Sequence, residues 1–161
     1  MKRRIMAVYR RLHAAHGPQH WWPGDSPFEI MVGAVLTQNT AWTNVEKAIV
    51  NLKTANALSP ESIAAAPHRR LAAWLKPSGY FNIKAQRLRA FCAWLIRKGG
   101  AKRIARLPTT VLRAELLQVH GIGPETADDM LLYAFNRPVF VIHAYTRRLF
   151  QRLGLIRGDE K

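Results

Sequence analysis

Residues 116–148, LLQVHGIGPETADDMLLYAFNRPVFVIHAYTRR, decide how this chain folds. At their centre, residues 120–124 (HGIGP) cannot form a helix interior, because glycine and proline are the poorest helix formers. On both sides, in 111–118 and 124–135, apolar residues recur at three- and four-residue spacing, which is typical of helices. The stretch therefore predicts a helix, a tight hairpin and a second helix.

The hairpin predicts an anion site. Gly121 and Gly123 permit a left-handed backbone and have no Cβ to obstruct a ligand. Pro124 suits the first position of a helix, where its missing N–H costs nothing. Backbone N–H groups would then be exposed beside a helix N-terminus, where anions bind. An ordinary helix–turn–helix corner would use the same glycines only to reverse the chain, so that alternative stays open here.

The composition predicts a polyanionic partner. In 161 residues, 25 Lys and Arg against 10 Asp and Glu give a formal net charge of +15. This balance favours double-stranded DNA or RNA over an acidic membrane surface. No apolar run of membrane-spanning length is present, and the N-terminus lacks the apolar core of a signal peptide. We therefore expect a cytoplasmic, nucleoid-associated protein without a membrane partner. Its length suits one compact domain or two small ones.

The rest of the chain predicts further helices and no persuasive strand pairing, so the expected fold class is all-α. Ser26-Pro27-Phe28-Glu29 has the pattern of a capping box. Thr40 is expected to cap the helix that follows it. The predicted helices span 1–16, 27–36, 41–53, 83–98, 108–118, 124–135 and 144–153, with two short ones starting at Pro60 and Pro67 and an extended segment at 139–142.

Four stretches resemble the helix-hairpin-helix DNA glycosylases, or endonuclease III superfamily, and within it the 3-methyladenine DNA glycosylase III branch. They are 21–23 (WWP), 36–42 (LTQNTAW), 78–85 (SGYFNIKA) and 119–128 (VHGIGPETAD), and 139–154 resembles the segment that follows the hairpin. The resemblance implies a six-helix barrel over 26–136 and a partial second helical lobe built from 1–25 and 137–161, truncated at its C-terminus. It also implies a substrate cleft between them.

The implied function is monofunctional excision of alkylated purines from duplex DNA, in which the damaged base is flipped out of the stack. The resemblance assigns a phosphate-binding hairpin, an aromatic pocket and a polar plug. The expected substrate-binding residues are Trp21, Trp22, Pro23, Trp42, Gln38 and Asn39, and the expected DNA contacts are His120, Gly121, Ile122, Gly123, Thr126, Lys84 and Arg147. Tryptophans more often pack a core, and amides in such a turn also serve as helix caps.

The resemblance also bears on cofactors. A Na⁺ or K⁺ ion is expected at the hairpin, held by the backbone carbonyls of Leu117, Val119 and Ile122. No organic cofactor is expected. Cys92 is the single cysteine, so this chain cannot hold the four-cysteine iron–sulfur cluster of many relatives, nor an internal disulfide.

Two positions depart from the family pattern. Glu125 occupies the place of the lysine that forms a Schiff base in strand-cleaving members, so strand cleavage by that route is not expected. His143 occupies the place of the catalytic aspartate. A neutral imidazole supplies no anion, and a protonated one would repel a cationic sugar. Asp128 and Asp129 are expected to be merely solvated, so Glu125 is the candidate substitute.

Two hypotheses follow for a chain that we expect to be monomeric. The first is a glycosylase whose activity is reduced or absent because of His143. The second is a non-catalytic module of the same fold that binds distorted duplex.

Overall fold

The structure is a computed structural model that describes residues 2–19 and 21–156. Met1, His20 and 157–161, which belong to the predicted second lobe, lie outside the described residues. The described part contains helices and no strand, so the all-α prediction is confirmed. The helices are α1 (Lys2–His16), α2 (Pro27–Leu36), α3 (Trp42–Thr54), α4 (Pro60–Ala65), α5 (His68–Leu75), α6 (Phe81–Arg97), α7 (Ala101–Ile104), α8 (Thr109–Leu117), α9 (Pro124–Asp129) and α10 (Ala144–Arg152).

Two compact units make up the chain. One is residues 24–140, and the other combines 1–23 with 141–161. In the second unit, the Arg4 guanidinium on α1 donates hydrogen bonds to the carbonyls of Leu153 at 3.0 Å and Gly154 at 3.4 Å. These bonds tie the two ends of the chain together.

Helix α2 is the centre of the 24–140 unit. Its residues from Met31 to Leu36 are all buried, as their unbroken apolar run predicts. The Ser26 hydroxyl accepts the Glu29 N–H at 3.2 Å, which confirms the predicted N-cap. The reciprocal half of the capping box differs, since the Glu29 carboxylate accepts the N–H of Asp25 at 3.3 Å and pairs with Lys53 at 2.8 Å.

Helix α6 packs against α4 and α5 and supplies the second wall of this core. Leu88, Phe91, Cys92 and Leu95 on its inner face are fully buried. Burial raises the pKa of the Cys92 thiol, which keeps it protonated. The prediction that Thr40 caps α3 is wrong, because α3 begins at Trp42 after Ala41 and has no side-chain cap.

Helices α8 and α9 flank the predicted hairpin. The Arg113 guanidinium on α8 binds both carboxylate oxygens of Asp128 on α9, at 2.7 and 3.0 Å, and this bidentate pair fixes the two helices against each other. A π-helical turn, Met130–Ala134, continues from α9 where an unbroken α-helix was predicted. Arg137 then donates to the carbonyls of Ala105 and Leu107, at 2.6 and 3.0 Å, and so fixes the exit of the hairpin segment.

No helix in the described part of the chain is long and apolar enough to cross a membrane.

Candidate functional site

The hairpin bend presents two backbone donors. Gly121 has a φ of +85°, a left-handed conformation that favours glycine, whereas Gly123 is extended. Among the described residues, no backbone acceptor bonds the N–H of Gly121 or of Gly123. The Ile122 N–H donates to the Val119 carbonyl at 3.0 Å, and the Ile122 side chain is buried. The bend can therefore offer an anion the amides of the two glycines, but Ile122 does not fit the predicted direct contact.

The bend forms one side of an open depression of about 500 Å³. The 37–40 turn after α2 and one face of α6 contribute the remaining walls. Among the predicted site residues, the structure brings together Gln38, Asn39, Gly121, Ile122, Gly123, Glu125 and Thr126 around this depression, and Arg87 joins them.

Gln38 joins the 37–40 turn to the bend. Its amide nitrogen donates to the Gly121 carbonyl and to the Thr126 hydroxyl, both at 3.0 Å. Its amide oxygen accepts a hydrogen bond from the Arg87 guanidinium. With both ends of the amide engaged within the protein, Gln38 does not fit the predicted plug, because an orphaned base could bind it only by breaking these bonds.

Asn39 differs from its neighbour. It is exposed and has a left-handed backbone with a φ of 53°, a conformation that asparagine tolerates better than most residues. Its side chain therefore remains the plug candidate, and the plug role remains a prediction.

Two further predicted DNA contacts are buried. Thr126 is 5% exposed, and its hydroxyl is the acceptor for Gln38. Lys84 is 1% exposed, and its ammonium donates to the carbonyls of Leu36 at 2.8 Å and Ser78 at 2.6 Å. Neither residue fits the predicted contact with a phosphate, because the side chain of each is committed inside the protein.

The buried Lys84 ammonium has an altered acidity. Desolvation by burial, followed by the charge of Arg87, lowers its pKa to about 8. Through its two hydrogen bonds, Lys84 joins the end of α2 to the turn before α6 inside the core.

The predicted aromatic residues divide between the two units. Trp42 lies on α3 in the 24–140 unit, half-buried, and its indole N–H donates to the Glu46 carboxylate at 2.8 Å. Trp21, Trp22 and Pro23 lie in the other unit. Trp21 is 54% exposed and Trp22 is half-buried with a φ of 95°. Neither Trp21 nor Trp22 is among the buried core residues.

The histidines and the charged site candidates also lie in different units. His120 at the bend and Glu125 in the first turn of α9 are exposed in the 24–140 unit. His143 precedes α10 in the terminal unit and is half-buried, and Arg147 on α10 is exposed.

The prediction that Asp128 and Asp129 are solvated is wrong. Asp128 is paired with Arg113, and Asp129 is 4% exposed. Burial and the charge of Asp129 raise the pKa of Tyr133 one turn further along.

The carbonyls predicted to hold a monovalent cation lie around the same bend. The Val119 carbonyl accepts the Ile122 N–H, while those of Leu117 and Ile122 accept no backbone N–H bond among the described residues. Carbonyl oxygens without an N–H partner can bind a cation, and the Val119 oxygen retains a second lone pair, so the cation site stays a prediction.

Two notable residues, Arg87 at the depression and Tyr80 outside its lining, were not predicted from the sequence. Arg87 has a half-buried guanidinium beside the bend. Tyr80, immediately before α6, is 67% exposed with a left-handed φ of 44°. The turn at Gly79 is a sequence signal that could have pointed to Tyr80. Arg87 has no such signal, because a basic residue at a helical position is common.

The sequence that contains this hairpin matches a known family. The sequence profile described as the HhH-GPD superfamily of base excision DNA repair proteins matches residues 32–161. This chain is a member of the HhH-GPD superfamily. The resemblance to endonuclease III-like DNA glycosylases of base excision repair is thereby confirmed.

Relatives and solved structures agree with the HhH-GPD assignment. A Methanocaldococcus jannaschii protein named as a candidate DNA repair glycosylase is 42% identical over 160 residues, covering 98% of this chain and 73% of the relative. Endonuclease III of Thermotoga maritima is 30% identical over 131 residues, covering 81% of this chain and 58% of that enzyme.

Among solved structures, the H. pylori 3-methyladenine DNA glycosylase bound to 1,N6-ethenoadenine is similar to this HhH-GPD chain, with a TM-score of 0.82 and 31% identity. The similarity covers 96% of this chain and 74% of that one. An endonuclease III–DNA complex is also similar, with a TM-score of 0.86 and 25% identity over 100% of this chain and 72% of that one.

Proposed function

We propose that this HhH-GPD protein is a monofunctional DNA N-glycosylase. It would bind damaged duplex DNA and remove alkylated purines from it. The observation that carries the proposal is the bend at Gly121 and Gly123, whose N–H groups have no backbone acceptor among the described residues and which lines an open depression together with Asn39. The net charge of +15 supports a polyanionic substrate. The similarity to a 3-methyladenine DNA glycosylase supports the alkylated purine.

Each part of the region has a role in base flipping. The glycine amides would bind a phosphate oxygen of the DNA backbone, and Asn39 would fill the vacated position in the stack. Trp21, Trp22, Pro23 and Trp42 are the proposed contacts of the flipped base. A flipped alkylated purine is cationic, and indole faces attract cations through their ring quadrupole. A Na⁺ or K⁺ ion at the carbonyls of Leu117, Val119 and Ile122 would stabilise the bend.

Strand cleavage through a Schiff base is not part of the proposed activity. Glu125, in the first turn of α9, has no amine that could attack the sugar. Water would be the nucleophile in a hydrolysis that passes through a cationic sugar.

Glu125 is proposed as the carboxylate on which any residual activity depends. Its exposed position at the depression allows it to approach a bound nucleotide. Glu125→Gln removes the negative charge with little change in shape. A loss of residual base release in this variant is the expected result, and an unchanged rate would contradict the role.

His143 favours a second candidate function. Because an imidazole cannot supply the anion that stabilises a cationic sugar, the chain would recognise damaged duplex without excising the base. Both candidate functions require binding of damaged duplex DNA, so only release of the damaged base distinguishes them.

Two measurements on the unmodified chain separate the candidates. Chromatography of free bases released from methylated duplex DNA reports excision, and fluorescence anisotropy with an abasic-site duplex reports binding. Release above that of a protein-free control supports the glycosylase, whereas tight binding without release supports the non-catalytic module. Failure to bind either duplex at low salt would contradict both.

A further inference from the structure

Arg87 is built into the wall of the hairpin depression. It lies on α6, one turn after Lys84, and the methylene stem of its side chain packs against the Cα of Gly121 where a Cβ would otherwise lie. Its guanidinium donates to the amide oxygen of Gln38. The same Gln38 amide holds the Gly121 carbonyl and Thr126, so the guanidinium position is fixed relative to the bend.

The guanidinium retains donors that the protein does not use. An arginine carries five N–H donors in a planar fork. Among residues 2–19 and 21–156, Gln38 is the one hydrogen-bond partner of the Arg87 side chain. Since Arg87 lines the depression, its remaining donors are available beside the amides of Gly121 and Gly123.

The charges around Arg87 favour an anion there. Arg87 and Lys84 are close enough for the charge of Arg87 to lower the pKa of Lys84. In the described part of the chain neither residue forms an ion pair, because Lys84 binds two carbonyls and Arg87 binds an amide. Two neighbouring cations without a carboxylate partner repel each other, and a bound anion would relieve that repulsion.

We infer that Arg87 is a phosphate ligand of the hairpin, held in position by Gln38 so that its guanidinium and the glycine amides bind one phosphate group of the DNA backbone. This inference rests on the proposed function and adds a charged ligand to it. Gln38 is then a positioning residue and does not enter the DNA stack.

Glu125 bears the opposing charge in the same depression. A carboxylate in the same depression disfavours a phosphate there, and the positive charge of Arg87 offsets this effect. The charge of Arg87, and not only its shape, is therefore expected to contribute to binding.

The test measures duplex binding as a function of salt. For the unmodified chain, Arg87→Gln, Arg87→Lys and Gln38→Ala, the dissociation constant of an abasic-site duplex is determined by anisotropy at several salt concentrations. Because neutralising one phosphate contributes about 0.9 to the slope of log K against log salt, Arg87→Gln is expected to reduce that slope by about one. Arg87→Lys should keep the slope and weaken binding, since lysine is a point charge without the fork.

The expected result for Gln38→Ala is weaker binding with an unchanged slope, because the charge of Arg87 stays but its position is released. Arg89→Gln is the matched control, since Arg89 is half-buried on α6 and does not line the depression. It should leave the slope nearer to that of the unmodified chain. Circular dichroism of every variant confirms that the fold is retained.

The outcomes are distinguishable. An unchanged slope for Arg87→Gln, while the unmodified chain binds the duplex, would overturn the phosphate role of Arg87 and leave the proposed function standing. A unit loss of slope for Arg89→Gln and for Arg87→Gln alike would also overturn it, because general charge would then explain the effect. Absence of duplex binding by the unmodified chain would overturn the proposed function, and this inference with it.

Discussion

Helices α2 and α1 differ in how many of their residues are buried. In α2, seven of ten residues are buried, whereas none of the fifteen residues of α1 is buried, and none of the nine in α10. The 24–140 unit therefore has its own core, built on α2 and holding the hairpin. The terminal unit carries His143 and the Trp21–Pro23 loop on elements that bury little. The difference teaches that the burial which stabilises the fold is concentrated in the 24–140 unit, whereas the position of His143 lies on an element that buries little, so substitutions can test each separately.

The largest effect is expected from His143→Asp in the terminal unit. A carboxylate would stabilise the developing positive charge of the sugar, and removing or adding one such group changes rates by about 10²- to 10³-fold. Base release from methylated duplex should rise by that order, with little change in unfolding free energy.

His143→Asn is the matched control, because asparagine has the shape of aspartate without its charge. If the two variants release base at equal rates, the electrostatic role assigned to this position is wrong.

The second largest effect concerns the core. Leu36, fully buried at the end of α2, should lose about 3 kcal/mol of unfolding free energy on replacement by alanine. Leu12 on α1 is 48% exposed, so Leu12→Ala should cost less than about 1 kcal/mol. Urea unfolding followed by circular dichroism measures both. Equal losses would break the comparison between the two helices.

The third prediction concerns pH and the buried Lys84. Its pKa is about 8 in the folded protein and 10.5 when unperturbed, so the unfolded chain holds more protons between these values. Stability therefore rises with pH across this window, by at most about 3 kcal/mol, and the gain is lost as pH falls to 8.

Lys84→Met, which keeps the length of the side chain and removes the titrating group, is the reference. The difference between the two unfolding free energies should increase from pH 8 to pH 10.5. A difference that stays flat would show that the ammonium is not desolvated in the core.

The smallest effect is expected at the bend. A Cβ at Gly121 would overlap the Arg87 side chain, and its φ of +85° strains other residues. Gly121→Ala should cost about 1–2 kcal/mol of stability. At Gly123 no heavy atom lies within 4 Å of an added Cβ. Gly123→Ala should accordingly be nearly neutral in thermal unfolding, and equal losses at both glycines would contradict this account of the bend.

Local patterns in the sequence predicted most of the fold. The Ser26 cap, the buried run of α2 and the Gly121–Pro124 hairpin each depend on neighbours within a few residues, and the structure has all three. The cap at Thr40 failed because the helix starts one residue later than its pattern suggests.

The contacts that define the candidate site were less predictable. Gln38 meets Gly121, 83 residues away, and Lys84 meets Leu36, 48 residues away. Tertiary packing decides whether the amide of Gln38 is free for DNA or joins two loops. It also decides whether Lys84 is exposed or buried, and local spacing in the sequence does not encode that packing. The same reason explains why Arg87 was missed.

The single amide of Gln38 has a mechanical consequence. It bonds the bend directly, while the adjacent Asn39 belongs to the same short turn. A displacement of the bend under load from a bound strand would be transmitted through that amide to Asn39. If the proposed roles of the bend and of Asn39 hold, binding of the DNA backbone and entry of Asn39 into the base stack would therefore be coupled.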